Sequence, residues 1–264
     1  MWPTYRQSKQ MTAIVDLPIL VFVLSFVVLW LFAQIGVFFR TRLRPLAEDE
    51  RQDFGVVLAA TMTLLGLLIG FSFSMAISRY DQRKNYEAEE ANAIGTEYVR
   101  ADLLPEADAT KVRGLLKKYL NQRVLFYEAR GQRELGQVDS YTAQLQGELW
   151  SAIQAAAAAR PTPPVALAAA GMNDVLNSQG YTQAAWWNRI PTAAWTLMAT
   201  IAVCCNLLIG YEAHRTGGSF VFSVLPMAVA ISFFLIADID SPRGGVIRVL
   251  PQNLVSLSQS LHSR

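Results

Sequence analysis

Cysteine is nearly absent from this sequence. Its two copies, Cys204 and Cys205, are adjacent, so they can neither staple distant segments nor offer metal-site spacing, and they read as packing residues. Strand signals are missing as well: no stretch alternates apolar and polar residues as a half-buried strand would. Neither sign of charge prevails, with 23 Lys and Arg against 21 Asp and Glu for a net charge of +2. No basic block gathers to hold nucleic acid. Above all, charge is missing from four long windows: Leu17–Phe39, Gly55–Ser78, Ile190–Tyr211 and Gly217–Ala237.

Each window holds at least 21 residues, and a helix needs about 20 to cross the hydrocarbon core. Overall composition, at 52% hydrophobic, is close to that of soluble proteins; the distribution decides the class. The windows predict an all-α integral membrane protein with four transmembrane helices, at 17–39, 55–78, 190–211 and 217–237. The first is too long for the apolar part of a signal peptide, and no small-x-small cleavage site follows it. Asp16 before Leu17-Pro18 reads as a helix cap with proline in the first turn. Pro191 plays the same part for the third span, which Trp186, Trp187 and Tyr211 bracket as interfacial aromatics.

The remaining segments are an N-terminal tail (1–16), a short basic loop (40–54), a hydrophilic region (79–189), a short loop (212–216) and a C-terminal piece (238–264). The region 79–189 reads as helical. Its first part continues the second span up to Pro105, with Arg83/Glu87 and Glu97/Arg100 at helical pairing distance, worth a few tenths of a kcal/mol each. Ala88, Ala91 and Gly95 would let a neighbouring helix approach. A second helix starts near Ala109, with an apolar stripe of Val112, Leu115, Leu116, Tyr119, Leu120, Val124 and Tyr127. A third runs from Val138 to Ala159, where "RPTPP" stops it. A fourth starts near Val165 and fades at Gly180. Near the membrane ends, Arg6, Lys9, Arg79, Arg83, Lys84, Arg189, Arg243 and Arg248 lie on one side. Arg40, Arg42, Arg44, Arg51 and Arg215 lie on the other. The count places termini and insert in the cytoplasm, while the dense "RTRLR" argues the reverse.

Two stretches carry chemistry. In "GLLIGFSFSMAIS", Gly66, Gly70, Ser74 and Ser78 recur every four residues and stack on one helix face. Such a stripe serves close helix packing, or it lines a pore with Phe71 or Phe73 as a hydrophobic constriction. No ionisable residue sits deep in a span, as a proton relay or charged transport site usually requires. In "FFLIADIDSPRGG", Asp238 and Asp240 mimic the Asp-x-Asp of haloacid-dehalogenase-like phosphatases. That chemistry needs further carboxylates and a lysine, and the 24 residues after Asp240 hold no lysine, Asp or Glu. As calcium ligands two carboxylates are too few. They read instead as the end of the fourth helix, paired with Arg243 or Arg248 or with basic residues of the insert. Ser241-Pro242 and Gly244-Gly245 then turn the chain, and Leu250, Leu254, Leu257 and Leu261 form a last amphipathic stripe. No enzyme, metal or cofactor is expected.

The stretch from Leu64 to Pro105, "LLGLLIGFSFSMAISRYDQRKNYEAEEANAIGTEYVRADLLP", resembles the second bestrophin span and its cytosolic continuation. Arg79, Tyr80, Asp81, Arg83 and Lys84 fall in matching roles, and Glu90 and Asn92 belong to the same insert helix. "DIDSPRGGVIRVLPQNLVSL" resembles the bestrophin element after the fourth span, with Asp240, Pro242, Gly244 and Leu254 matching. The resemblance is to a bacterial membrane family described as bestrophin-like and, more distantly, to bestrophin anion channels. Arg243 replaces the aromatic after the proline, and the acidic cluster of the animal calcium clasp is absent. The likeness implies a homo-oligomeric ring, a pentamer, in the bacterial inner membrane, passing inorganic anions between second spans. Partners are then the lipid bilayer, other copies of the chain and inorganic ions. The competing reading is a non-conducting scaffold or sensor whose helical insert binds a partner.

Overall fold

The computed structural model describes residues 16–42, 48–212 and 221–263. The tail residues Arg6 and Lys9, Arg44 of the basic loop, Arg215, and the start of the fourth window at Gly217 lie outside them. Among the described residues all regular structure is helical. The helices are α1 (Pro18–Arg42), α2 (Glu48–Arg100), α3 (Glu106–Glu128), α4 (Gln132–Ala159), α5 (Pro163–Trp187), α6 (Thr192–Glu212), α7 (Val221–Asp240) and α8 (Gln252–His262). A 3-10 turn, Ala101–Leu103, closes α2 ahead of Pro105.

Four helical stretches are long and apolar enough to cross a membrane, and but for Leu17, Val221 and Phe222 they contain the described part of the four uncharged windows. Several boundaries differ from expectation. The loop expected at 40–54 is largely helix, because α1 continues to Arg42 and α2 starts at Glu48. The charged side chains there extend a helix beyond hydrocarbon, since hydrophobicity sets where a span lies and not where its helix stops. Likewise α5 passes Gly180 and ends at Trp187. One glycine costs a helix only about 1 kcal/mol, and the burial of Thr182, Ala185 and Trp186 outweighs it.

Two compact units divide the chain: Met1–Arg79 with Arg189–Arg248, and Tyr80–Asn188 with Val249–Arg264. In the first, α1 packs along α6 and α7. The contact with α6 is made by backbone. A Cβ at Gly36 would strike the carbonyl of Leu207, and one at Gly210 the carbonyl of Ala33. Small residues are what permit so close a crossing between membrane helices, where there is no hydrophobic drive to hold them together. Cys205 is buried and Cys204 faces outward. The membrane stretch of α2 stands apart from this packing: 11% of its most apolar window is buried in the chain, against 50% for α7.

In the second unit α3, α4 and α5 pack in sequence, and α8 lies on α3. The stripe expected for α3 is the one that is buried, from Val112 through Tyr127, with Val124 at its margin. Leu145, Leu149 and Ile153 of α4 and Met172 and Val175 of α5 complete the core with Ile94 of α2 and Leu254 of α8. Phe126, Tyr127 and Trp186 meet edge to face at 5.0–5.4 Å. Of the C-terminal leucine stripe, Leu254, Leu257 and Leu261 pack inward, whereas Leu250 precedes the helix and is exposed.

Replacing Gly210 by valine should cost about 1–3 kcal/mol through overpacking, read as a lowered melting temperature of the purified protein in detergent. Gly66→Ala, where an added Cβ meets nothing within 4 Å, should leave that temperature unchanged or slightly raised.

Candidate pore face and collar

The small-residue stripe of α2 is exposed. Gly66, Gly70, Ser74 and Ser78 all face away from the chain's own helices, and a Cβ at either glycine would find open space. Burial falls on Leu58, Leu65, Ser72 and Ala76. At about 100° per residue, that set lies roughly opposite the stripe. Phe71, 61% exposed, and Phe73, 36% exposed, flank the stripe on either side. Packing inside one chain is therefore not what these glycines serve. The face is offered to something outside the protomer.

The collar is built around Asp240. Its carboxylate is 1% exposed and would be costly to bury alone. Arg189 donates from Nε to Oδ2 at 3.1 Å, and the Ile190 N–H points at both carboxylate oxygens at 3.2 Å. Arg79 Nη1 stands 3.6 Å from Oδ1. Arg189 also donates from Nη1 to Asp16 at 2.7 Å, and Ser241 Oγ reaches the same Asp16 oxygen at 3.2 Å. Asp16, Arg79, Arg189 and Asp240 sit where α1 begins, α2 leaves its apolar stretch, α6 begins and α7 ends. One ionic knot thus gathers the same-side ends of four spans. Asp16, expected as a cap, is a knot residue. Asp240 draws its partners from the borders of the insert, as one of the expected alternatives had it.

Asp238 does different work. It accepts the backbone N–H groups of Val246 at 2.7 Å and Ile247 at 2.8 Å, folding the following loop back against the helix end. With both carboxylates satisfied, α7 runs on to Asp240 and does not stop at Ala237. Arg248, a candidate partner for the carboxylates, turns its Nε to the Gly245 carbonyl. Gly244 and Gly245 have ordinary negative φ. They are needed for space, because added Cβ atoms would strike the carbonyls of Asp16 and Asp238. Pro242 and Arg243 are half-buried beside them.

On the insert, four charged residues of α2 point inward. Arg83, Glu87, Glu90 and Glu97 are buried on one helical face with Ile94, so the residues read in sequence as the helical pairs Arg83/Glu87 and Glu97/Arg100 lie largely inside the core. Glu87 caps α8, accepting from the N–H groups of Asn253 and Leu254 at 2.9 and 3.0 Å and from Asn253 Nδ2 at 2.6 Å. A carboxylate is favoured at a helix N-terminus. Glu90 is paired with the fully buried Arg123, accepts from Thr182 Oγ1 at 3.2 Å, and Arg123 stacks 4.4 Å over Phe126. Burial opposes the charge on Arg123, yet Glu90 beside it raises its pKa on balance. Burial and the Glu90 charge likewise push the Tyr119 and Tyr127 phenols well above their usual range. Asp81 and Asn92, singled out with these residues, are exposed. Arg123 and Thr182 were missed as partners; nothing local in the sequence marks pairing over such separations.

Glu97 has no such partner. Neither carboxylate oxygen is hydrogen-bonded, it lies against Gly171, and Arg100 leans to Asp174 at 3.9 Å. Burial lifts its pKa from 4.5 to about 8, opposed by Arg100 and reinforced by Asp174.

With all regular structure helical among the described residues, four apolar spans tied by a collar and a helical insert, the chain is an integral multi-pass membrane protein. The description "Bestrophin-like domain" matches residues 25–254. The chain belongs to the bestrophin-like family. A bacterial bestrophin homolog from Klebsiella pneumoniae superposes with a TM-score of 0.64 at 13% identity, covering 91% of this chain and 97% of that one. A point variant of that homolog gives 0.66 at 12%, with 92% and 96% covered. A third structure, described as a membrane protein, gives 0.65 at 13%, with 93% and 97% covered. At these identities the likeness is one of fold. No curated protein matches the chain in sequence.

Because the native state holds the Glu97 proton more tightly than the unfolded chain does, stability is fullest below about pH 4.5 and declines as pH rises towards about 8. Melting temperature should fall over that window, and Glu97→Gln should flatten the fall and melt higher than wild type at pH 8. Equal slopes in the two proteins would contradict an unpartnered buried carboxyl. Asp240→Asn, which leaves two arginines facing a neutral amide, should cost about 3 kcal/mol, seen as a clear drop in melting temperature.

Proposed function

We propose that the chain is the protomer of a ring-shaped ion channel, selective for inorganic anions, in the bacterial inner membrane. The carrying observation is the exposed Gly66–Ser78 face, opposite the side on which α2 meets its own chain. In a ring, preferably of five copies, that face surrounds the axis. Glycines give the pore width, Ser74 and Ser78 offer hydroxyls to a passing ion, and Phe71 or Phe73 forms the constriction. The absence of charge from this face suits a passive conduit. Anion preference comes to this chain by family analogy, an associational warrant.

In this reading the insert and both termini lie in the cytoplasm, where exposed Asp81 and Asn92 line a vestibule. The collar of Asp238, Asp240, Pro242, Arg243 and Gly244 is a joint, not an active site, and the chain acts as a channel and not as an enzyme. Lipid, other copies of the chain and inorganic ions are its partners, with no nucleic acid.

Chloride flux into vesicles containing the purified protein tests the reading. Phe73→Ala should raise flux or broaden ion selectivity, and Ser74→Phe should reduce flux at least about tenfold, both with the oligomer mass by native mass spectrometry unchanged. Unaltered flux in both variants, or a wild-type mass of one or two chains, would favour a non-conducting scaffold.

A further inference from the structure

A trough of about 410 Å³ lies along α1 and α6 in the membrane unit. Val21, Leu24, Ser25 and Val28 form one wall at intervals of three and four residues; Thr192, Trp195, Thr196, Ala199 and Thr200 form the other. Phe233 contributes from α7, and Arg189, Ile190 and Asp240 stand where α6 begins and α7 ends. Its walls are mostly apolar and belong to membrane spans, so water is a poor filling and hydrocarbon a good one.

At and near the charged end, two buried donors lack partners. Arg189 uses Nε on Asp240 and Nη1 on Asp16, but Nη2 has no acceptor. Trp195 Nε1 also has none, although its ring packs edge-on to Phe233 at 6.0 Å. Both groups donate only, so the missing partner is an acceptor. A second copy of the chain would lay one of its uncharged apolar spans along this wall and bring hydrocarbon without acceptors. A lone anion would satisfy the donors and leave the trough unfilled.

We propose that this trough is a phospholipid site: one acyl chain lies between α1 and α6, and ester or phosphate oxygens meet Arg189 and Trp195. The site is separate from the α2 stripe and does not depend on the channel reading. Lipid held there wedges against the faces of α1 and α6 beside the knot, so it bears on how firmly the collar is seated.

The test uses the full chain in nanodiscs of phosphatidylglycerol and phosphatidylethanolamine in equal parts, released for native mass spectrometry. Wild type should carry one phospholipid per chain. Ala199→Phe fills the trough from an outward-facing position and should lower that occupancy at least about tenfold. Trp195→Phe keeps the ring, removes one donor and should lower it about fivefold, the scale of one lost hydrogen bond. Undiminished lipid in both variants overturns the site. So does dissociation of the oligomer in Ala199→Phe, which would show the wall to be an interface between copies. Chloride flux through these variants checks the channel reading separately, since either result can hold without the other.

Discussion

Everything in the membrane unit depends on how a single buried carboxylate is satisfied. Asp240 sits at the end of the most deeply buried span, in a place where an unpaired charge would be costly. Arg79, Arg189 and the Ile190 N–H supply its partners. With Asp16 included, two positive and two negative side chains balance, so the knot holds four chain segments without leaving net charge beside hydrocarbon. Salt bridges in such settings often add little net stability over an apolar replacement, because desolvation takes back most of the attraction. What they enforce is geometry. Each partner is poorly accommodated anywhere else, so the ends of α1, α2, α6 and α7 have one arrangement open to them.

That anchoring explains how α2 can make so few contacts along its apolar length. Its position is set by Arg79 in the knot and by Phe54, which meets Tyr211 at 5.7 Å, leaving most of the intervening surface uncommitted. Two kinds of glycine record the division of labour. Gly36 and Gly210 have carbonyls where a methyl would go, and they determine how α1 and α6 cross. Gly66 and Gly70 have nothing there at all. A small residue facing no neighbour within its own chain does nothing for that chain's own packing, and the two glycines are followed at the same spacing by Ser74 and Ser78.

The four spans, the helical insert and the inward stripes of α3 and α4 were legible because each rests on local composition or periodicity. The stripe on α2 was legible as a stripe, but packing and pore lining predict the same residues, and only the positions of other helices separate them. The collar was legible as a helix end, with its partners undecided between near and far arginines. Asp240 and Arg189 are 51 positions apart and Asp16 and Arg189 are 173 apart, and no periodicity connects them. What the spacing left out, it left out for one reason. Charged residues at helical spacing usually mark a solvated face, and on the insert part of α2 that face is the buried one. Arg83, Glu87, Glu90 and Glu97 look like surface residues until Arg123, Asn253 and Gly171 are placed opposite them.

This inversion gives α2 its character. The segment crossing hydrocarbon has an uncharged, small-residue face turned outward, while the segment beyond turns Arg83, Glu87, Glu90 and Glu97 inward. Buried charge is intolerant of rearrangement: Glu90 cannot leave Arg123 without stranding both, and Glu87 cannot leave α8 without uncapping it. Small residues with open space around them are tolerant, since little energy is lost when they rotate or shift. A helix held rigidly by its charged residues and loosely along its small ones will yield in the stretch that faces outward.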